Sequence, residues 1–136
     1  MPGYSSTPLV QKLGIKPDML VGLRHAPADF RAALDPWPAG ARITTPAAGP
    51  LDAIMLFAGD AAMLEREFPL AAAALRPAGM LWIAWPKKAS RMPTDLSEGR
   101  VRAIGLAAGL VDVKVCAVTD VWAGLKFVRR LADRPR

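Results

Sequence analysis

An uninterrupted apolar run of six residues, 80–85 (MLWIAW), constrains the fold of this chain more than any other feature. The preceding Pro77-Ala78-Gly79 predicts a turn, and Pro86 ends the run just before two lysines. Such runs are typical of strands that are buried on both faces of a parallel sheet. Residues 51–58 form a second run of this kind, so we expect two central strands of an α/β sheet.

Turn and capping residues divide the remaining chain into further short elements. The patterns predict helices over residues 9–13, 28–34, 61–75 and 94–108, and strands over residues 19–23, 41–45, 110–118 and 122–130. Pro69 is expected to break or kink its helix, because an interior proline costs about 3 kcal/mol. Thr94 or Asp95 is expected to cap the last helix. The final two strands alternate apolar and polar residues, which predicts an antiparallel hairpin.

The order of these elements predicts the fold class. Alternating strands and helices followed by one hairpin indicate a Rossmann-like, three-layer α/β sandwich. We expect a mostly parallel sheet with an antiparallel C-terminal strand. Residues 1–136 are predicted to form one domain, with a helix and turn over residues 1–18 and a frayed tail over residues 131–136.

Cysteine and histidine usage excludes one class of site and suggests a compartment. Cys116 is the only cysteine and His25 the only histidine, so a closed Cys/His zinc site is excluded and we predict no metal. A single cysteine suits a reducing cytoplasm. The sequence has no apolar run near the roughly 18 residues that a membrane span needs, and its start does not resemble a signal peptide. We therefore expect a cytoplasmic protein without a membrane partner.

Charge is distributed unevenly along the chain. Residues 1–86 carry seven basic and seven acidic side chains, whereas residues 87–136 carry eleven basic and five acidic ones. The whole net charge of +6 therefore follows Pro86. A basic half favours anionic partners, such as a small anionic molecule, an acidic protein surface or nucleic acid.

The tract from residue 51 to residue 85 resembles the class I methyltransferase fold. Members of that family commonly have an apolar strand, an acidic helix and then a Leu-Lys-Pro-Gly-Gly turn into the next strand. The corresponding turn in this sequence reads Leu75-Arg76-Pro77-Ala78-Gly79. The resemblance implies a methyltransferase-like arrangement of strands and helices.

The whole chain also resembles a bacterial family of small proteins known only as a domain of unknown function. The blocks that carry this resemblance are Gly3-Tyr4-Ser5, Thr7-Pro8-Leu9, Lys12-Leu13-Gly14-Ile15-Lys16-Pro17, Trp85-Pro86-Lys87-Lys88, Thr94-Asp95-Leu96 and residues 109–118 (GLVDVKVCAV). The resemblance implies a reduced methyltransferase-like fold in a cytoplasmic bacterial protein. It implies no particular activity.

The turn after the first predicted strand argues against the usual cofactor of such a fold. S-adenosylmethionine binding needs a glycine-rich turn there, so that the backbone can approach the cofactor closely. No glycine follows Gly22, and we expect the side chains of Arg24 and His25 to fill the space. The second strand ends Thr44-Thr45-Pro46, without the acidic residue that usually holds the ribose. We therefore predict that S-adenosylmethionine does not bind in the usual mode.

The loop after residue 86 is the best candidate site in the sequence. Positive charges and hydroxyl groups gather there ahead of a helix N-terminus, and the residues concerned are Lys87, Lys88, Ser90, Arg91 and Thr94. These groups would suit a phosphate, a carboxylate or a nucleotide. His25, Trp85 and Asp60 could line a pocket at this edge, and His25 could act as a general base beside Asp29 or Asp60. No residue is assigned a catalytic role.

Three interpretations of function follow. The leading one is a non-catalytic binding or regulatory module with an anion site at the carboxyl edge of the sheet. The first alternative is a S-adenosylmethionine-dependent methyltransferase with an atypical cofactor site. The second is a homo-oligomeric interaction protein that uses an exposed sheet edge or the basic tail.

Overall fold

The computed structural model describes residues 7–44 and 49–134, which form one sheet with helices on both faces. Nine helices and strands follow one another in these residues: α1 (Leu9–Lys12), β1 (Leu20–Arg24), β2 (Arg42–Thr44), β3 (Leu51–Phe57), α2 (Ala61–Ala73), β4 (Leu75–Pro86), α3 (Glu98–Ala107), β5 (Leu110–Ala117) and β6 (Trp122–Arg129). Single 3₁₀ turns occur at Arg31–Leu34, Lys88–Ser90 and Leu131–Asp133. The predicted end of the second strand at residue 45 lies outside the described residues.

The strands lie in the order β2-β1-β3-β4-β6-β5. Pairing is parallel from β2 through β4, and β6 runs antiparallel to both of its neighbours. The two apolar runs of the sequence pair directly, from Ala53 opposite Met80 to Phe57 opposite Ala84. The predicted α/β fold, with a mostly parallel sheet and an antiparallel C-terminal strand, is therefore confirmed.

Each face of the sheet carries its own apolar core, as a three-layer sandwich requires. On one face, α2 and α3 bury side chains that include Leu64, Phe68 and Val101. On the other face, α1 and the Arg31–Leu34 turn cover the sheet, and Leu13 and Phe30 are buried against it. We call these the α2–α3 face and the α1 face. No helix in the described parts of the chain is long and apolar enough to cross a membrane.

Helix α2 is continuous, so the predicted break at Pro69 is wrong. The helix runs through Pro69 from Ala61 to Ala73, and the proline ring lies exposed on its outer surface. Leu64, Phe68 and Ala71 on the inner surface are fully buried. Their burial on both sides of Pro69 outweighs the loss of one backbone hydrogen bond.

The predicted turn before residue 80 is instead part of β4. Leu75 pairs with Leu51 and Met80 pairs with Ala53, so the residues between them form a bulge in the strand. Gly79 lies in this bulge, where an added Cβ would be 3.0 Å from the carbonyl oxygens of both Arg76 and Leu51. The glycine therefore allows the bulge to pack against β3.

Helix α3 begins later than the sequence predicts. Its N-cap is Ser97, whose side chain accepts a hydrogen bond from the Arg100 backbone N–H. The hydroxyl of Thr94 accepts from the Leu96 backbone N–H within the preceding loop. Leu96 is buried, and this apolar anchor places the start of the helix after it.

Candidate functional site

The chain changes direction at the carboxyl ends of β1 and β3. The connection after β1 leads to β2 on one side, and α2 leads from β3 to β4 on the other. Open α/β sheets bind ligands in the crevice that such a switch point creates. The residues at this crevice are His25 after β1, and Gly59 and Asp60 after β3.

A charged cluster of three side chains lies beside the crevice. Glu67 on α2 accepts hydrogen bonds from Arg24 Nε at 3.2 Å and from a second guanidinium nitrogen of Arg24 at 3.0 Å. The Nε2 atom of His25 lies 2.9 Å and 2.8 Å from the two carboxylate oxygens of Glu67. Helix α2 thus holds both side chains from the end of β1.

Glu67 is ionised in this cluster although it is buried, with 8% of its surface exposed. Burial alone would raise the pKa of Glu67, because it disfavours the charged form. Hydrogen bonds from His25 and Arg24, and the charges of both, outweigh burial and lower the pKa. The cluster therefore contains a carboxylate that accepts from both neighbours.

The ionised carboxylate determines which nitrogen of His25 carries a proton. A carboxylate only accepts hydrogen bonds, so Nε2 must be the protonated nitrogen. In the neutral ring, Nδ1 then has a free lone pair. The His25 side chain is 50% exposed, so this lone pair belongs to a ring that solvent or a substrate can reach.

The sequence suggests Asp29 or Asp60 as the partner of His25, and the structure places Glu67 there instead. Asp60 caps α2, because its Oδ1 accepts from the Met63 backbone N–H at 2.8 Å. Glu67 lies on the buried surface of α2 with Leu64, Phe68 and Ala71. The sequence does contain a signal for this partner, since Glu67 falls at helical spacing among apolar residues that face the core.

The loop after β4 forms hydrogen bonds within itself and with the turn before β6. The hydroxyl of Ser90 donates to the Lys87 carbonyl at 2.6 Å, and the Lys87 backbone N–H donates to Val121. Arg91 takes a left-handed backbone conformation, with φ of 61°. Lys88 and Arg91 are exposed, and Thr94 bonds to Leu96. The loop lies at the carboxyl edge as the sequence predicts, and its role as an anion site stays a prediction.

Trp85 is buried rather than part of a surface pocket. Its side chain belongs to the core of the α2–α3 face, and 5% of the residue is exposed. Among the described residues, no group of three or more His, Cys, Asp or Glu side chains could hold a metal ion.

Comparison with known proteins relates this fold to methyltransferases. No protein-family model matches the chain, and no curated protein matches its sequence. The solved structure of magnesium protoporphyrin IX methyltransferase from Synechocystis PCC 6803 with bound S-adenosylhomocysteine matches with a TM-score of 0.60 at 11% identity, covering 90% of this chain and 78% of that one. A S-adenosylmethionine-dependent methyltransferase from Aquifex aeolicus matches with a TM-score of 0.59 at 13% identity, covering 88% and 86%. The chain thus has a class I methyltransferase-like fold.

Two sequence-based expectations are corrected by these neighbours. A second structure of the Synechocystis enzyme holds S-adenosylmethionine itself, and it matches with a TM-score of 0.54 at 11% identity over 90% of this chain and 74% of that one. The leading interpretation, a non-catalytic binding module, and the expectation against S-adenosylmethionine as the cofactor of this fold are both contradicted. The resemblance to the bacterial family of unknown function stays a prediction.

Proposed function

We propose that this chain is a S-adenosylmethionine-dependent methyltransferase with an atypical cofactor site at the carboxyl ends of β1 and β3. The observation that carries the proposal is the match of 90% of the chain to a methyltransferase structure with bound S-adenosylhomocysteine. The switch point supports it, since this is where open α/β sheets bind nucleotide-like ligands.

The turn after β1 fits a closely bound cofactor better than its sequence suggests. His25 takes the left-handed backbone conformation, with φ of 57°, that glycine usually supplies in such turns. Histidine is among the residues that tolerate this conformation best. Both side chains that were expected to fill the cofactor space, Arg24 and His25, are hydrogen-bonded to Glu67 on α2 instead.

The acidic contact to the ribose would come from a different strand. Residues 44–48 contain no acid, so the end of β2 cannot supply one. Asp60 follows β3 at the crevice, and its side chain is exposed while Oδ1 caps α2. We assign to Asp60 the role of accepting hydrogen bonds from the ribose hydroxyl groups. The site is atypical because this acid follows β3 rather than β2.

The chain's own residues suggest how an acceptor would lose its proton. S-adenosylmethionine supplies an electrophilic methyl group when it is bound. The His25 ring is oriented by its Nε2–H bond to Glu67, and Nδ1 can take a proton from an acceptor group. Glu67 then stabilises the imidazolium through its negative charge, and Arg24 keeps Glu67 ionised.

We also propose that the protein works in the cytoplasm. Its single cysteine, Cys116, is free and cannot form an internal disulfide. Cell fractionation with an antibody against the chain would test this, and recovery of the protein outside the cytoplasmic fraction would contradict it.

Calorimetry with S-adenosylhomocysteine tests the cofactor site directly. We expect saturable binding to the wild-type chain and a rise in Tm with ligand concentration, because a ligand that binds only the folded state stabilises it. The variant Asp60→Asn should bind roughly tenfold more weakly, which corresponds to about 1.4 kcal/mol for one lost charged hydrogen bond. Asparagine caps helices as well as aspartate does, so the fold should persist.

The matched control is Asp133→Asn, which removes an exposed carboxylate in the turn after β6. We expect this variant to bind like the wild type. Absence of any binding heat and of any Tm shift at millimolar ligand would contradict the proposed function. Equal weakening in both variants would contradict the role of Asp60.

A further inference from the structure

Two lysines face each other across the terminal hairpin on the α1 face of the sheet. Lys114 on β5 lies directly opposite Lys126 on β6. Like charges at directly opposed positions destabilise an antiparallel pair. The Nζ atom of Lys114 donates to the backbone carbonyl of Lys12 at 2.9 Å, so the end of α1 lies beside the pair.

The described structure provides no counter-ion for these charges. All twelve acidic residues lie within residues 7–44 and 49–134, and no ion pair described there includes a lysine. Lys126 is partly buried, and burial together with the charges of Lys114 and Lys16 lowers its pKa. Because this arrangement costs stability and lacks a carboxylate partner, a bound anion would stabilise it by supplying negative charge.

The lysines continue from this pair to the carboxyl edge of the sheet. Lys126 lies beside Trp82 and Trp122 beside Pro86, so Lys87 follows roughly 15 Å further along the strands. Burial raises the pKa of the Cys116 thiol, and the charges of Lys114, Lys12 and Lys87 oppose that rise, so all three lysines lie within electrostatic reach of Cys116. We call Lys12, Lys16, Lys87, Lys114 and Lys126 the lysine track.

An apolar hollow with an aromatic wall lies at the Lys16 end of the track. Its volume is about 430 Å³, and its lining includes Lys16, Pro36, Trp37 and Pro38. The indole N–H of Trp37 donates to the Ala41 carbonyl at 2.7 Å, which fixes the ring. A fixed aromatic ring beside positive charge is suited to stacking with a nucleobase.

We propose that the lysine track binds the phosphate backbone of single-stranded nucleic acid and that the Trp37 hollow receives a base. Lysines contact phosphates as point charges and do not read sequence, so the site would be largely independent of sequence. The length of the track favours a polymer over a compact anion, because a single cluster of lysines would be enough to bind a compact anion. The hollow favours nucleic acid over an acidic peptide, since a base has an aromatic face and a carboxylate side chain has none.

Fluorescence anisotropy with a labelled oligouridylate of about 12 nucleotides tests the track. The variant Lys114→Gln with Lys126→Gln should bind at least tenfold more weakly at low salt. Its slope of log affinity against log salt should fall by about 1.4, because each phosphate contact to a single strand contributes about 0.7. The variant should unfold at a higher temperature than the wild type, since it removes the opposed charges.

The matched control is Arg42→Gln with Arg66→Gln, which removes two exposed charges from β2 and α2. Its net charge equals that of the lysine variant, and we expect its affinity to remain within about twofold of the wild type. Equal loss in both variants would mean that net charge alone attracts the oligonucleotide, and it would overturn the proposal. Unchanged binding by the lysine variant would overturn it as well.

A third variant separates the base from the backbone. Trp37→Leu should weaken oligouridylate binding about tenfold through lost stacking and leave the salt slope unchanged. Polyglutamate of equal charge should bind much more weakly than oligouridylate, and binding of equal strength that needs the same lysines would overturn nucleic-acid recognition. The lysine variant should still bind S-adenosylhomocysteine, so failure of this proposal is distinct from failure of the proposed function.

Discussion

At the scale of single residues, the described structure contains one buried charged side chain, Glu67, and the positions of His25 and Arg24 depend on it. It fixes His25 in one tautomer and keeps Arg24 against α2. These two effects of Glu67 can be measured separately. Its contact with His25 determines the tautomer of the ring, and its contact with Arg24 contributes to the free energy of unfolding. Each of these makes its own prediction.

The tautomer of His25 can be measured without ambiguity, because the chain has no other histidine. We expect long-range ¹⁵N–¹H NMR spectra, recorded at a pH at which the ring is neutral, to show the Nε2-protonated tautomer, since ionised Glu67 can only accept. In Glu67→Ala the preference for the Nε2-protonated tautomer should weaken towards that of a histidine side chain in water. A wild-type ring protonated on Nδ1 would contradict the geometry of the cluster.

Replacing Glu67 by glutamine should lower the free energy of unfolding by about 1–3 kcal/mol at pH 7, because Arg24 loses a charged partner. The pKa of Glu67 is lowered on folding, so its contribution is present above the unfolded value of about 4.3 and is lost as the pH falls through the folded pKa. Urea unfolding should therefore show a difference from the wild type that shrinks in acid.

The control for this measurement is Glu65→Gln, an exposed change on the same helix. It should alter the free energy of unfolding by no more than about 0.5 kcal/mol at any pH. A Glu67→Gln effect that stays constant down to pH 2 would show that packing, rather than charge, accounts for the loss.

The sequence pattern marks Glu67 as a buried carboxylate, but its pairing with His25 could not be predicted from the sequence. Glu67 is separated from His25 by 42 residues, and their contact requires α2 to pack beside the end of β1. The left-handed backbone at His25 could not be predicted either, because a histidine in a sequence does not indicate that conformation as a glycine does. The absence of glycine therefore gave no sign of a left-handed backbone in this turn, and the structure shows that backbone at His25.

At the scale of helices and strands, local patterns predicted most elements and failed where distant packing decides. The apolar runs gave β3 and much of β4, because burial on both faces leaves a continuous signal. The bulge before Met80 depends on carbonyl oxygens of β3, and the start of α3 depends on burial of Leu96. Neither can be inferred from spacing along the chain.

Two glycines of α3 make a matched pair that tests how this helix packs on β6. An added Cβ at Gly105 would overlap the Phe127 ring, whereas one at Gly99 would meet open space. Gly105→Ala should destabilise the protein by about 1–3 kcal/mol through overpacking. Gly99→Ala should stabilise it by about 0.5 kcal/mol, because alanine favours helix. Chemical denaturation measures both, and equal effects would contradict the contact with Phe127.

At the scale of the whole molecule, the sequence predicted the fold class and the excess of positive charge, but not how the charged side chains are arranged. The order of elements predicted the fold class, since few topologies accommodate alternating elements and a final hairpin. The excess of positive charge after Pro86 predicted an anionic partner. It did not predict that Lys114 and Lys126 face each other, because register is fixed by the bulge between Asp112 and Lys114.

The central claim is that a methyltransferase cofactor binds at the carboxyl ends of β1 and β3, and an NMR titration tests it most directly. ¹H–¹⁵N spectra should be recorded as S-adenosylhomocysteine is added to the wild-type chain. We predict saturable shifts at the backbone amides of residues 24–29 and 58–61, with small changes at the amino ends of the strands. Absence of shifts at millimolar ligand, or shifts confined to another surface, would contradict the claim.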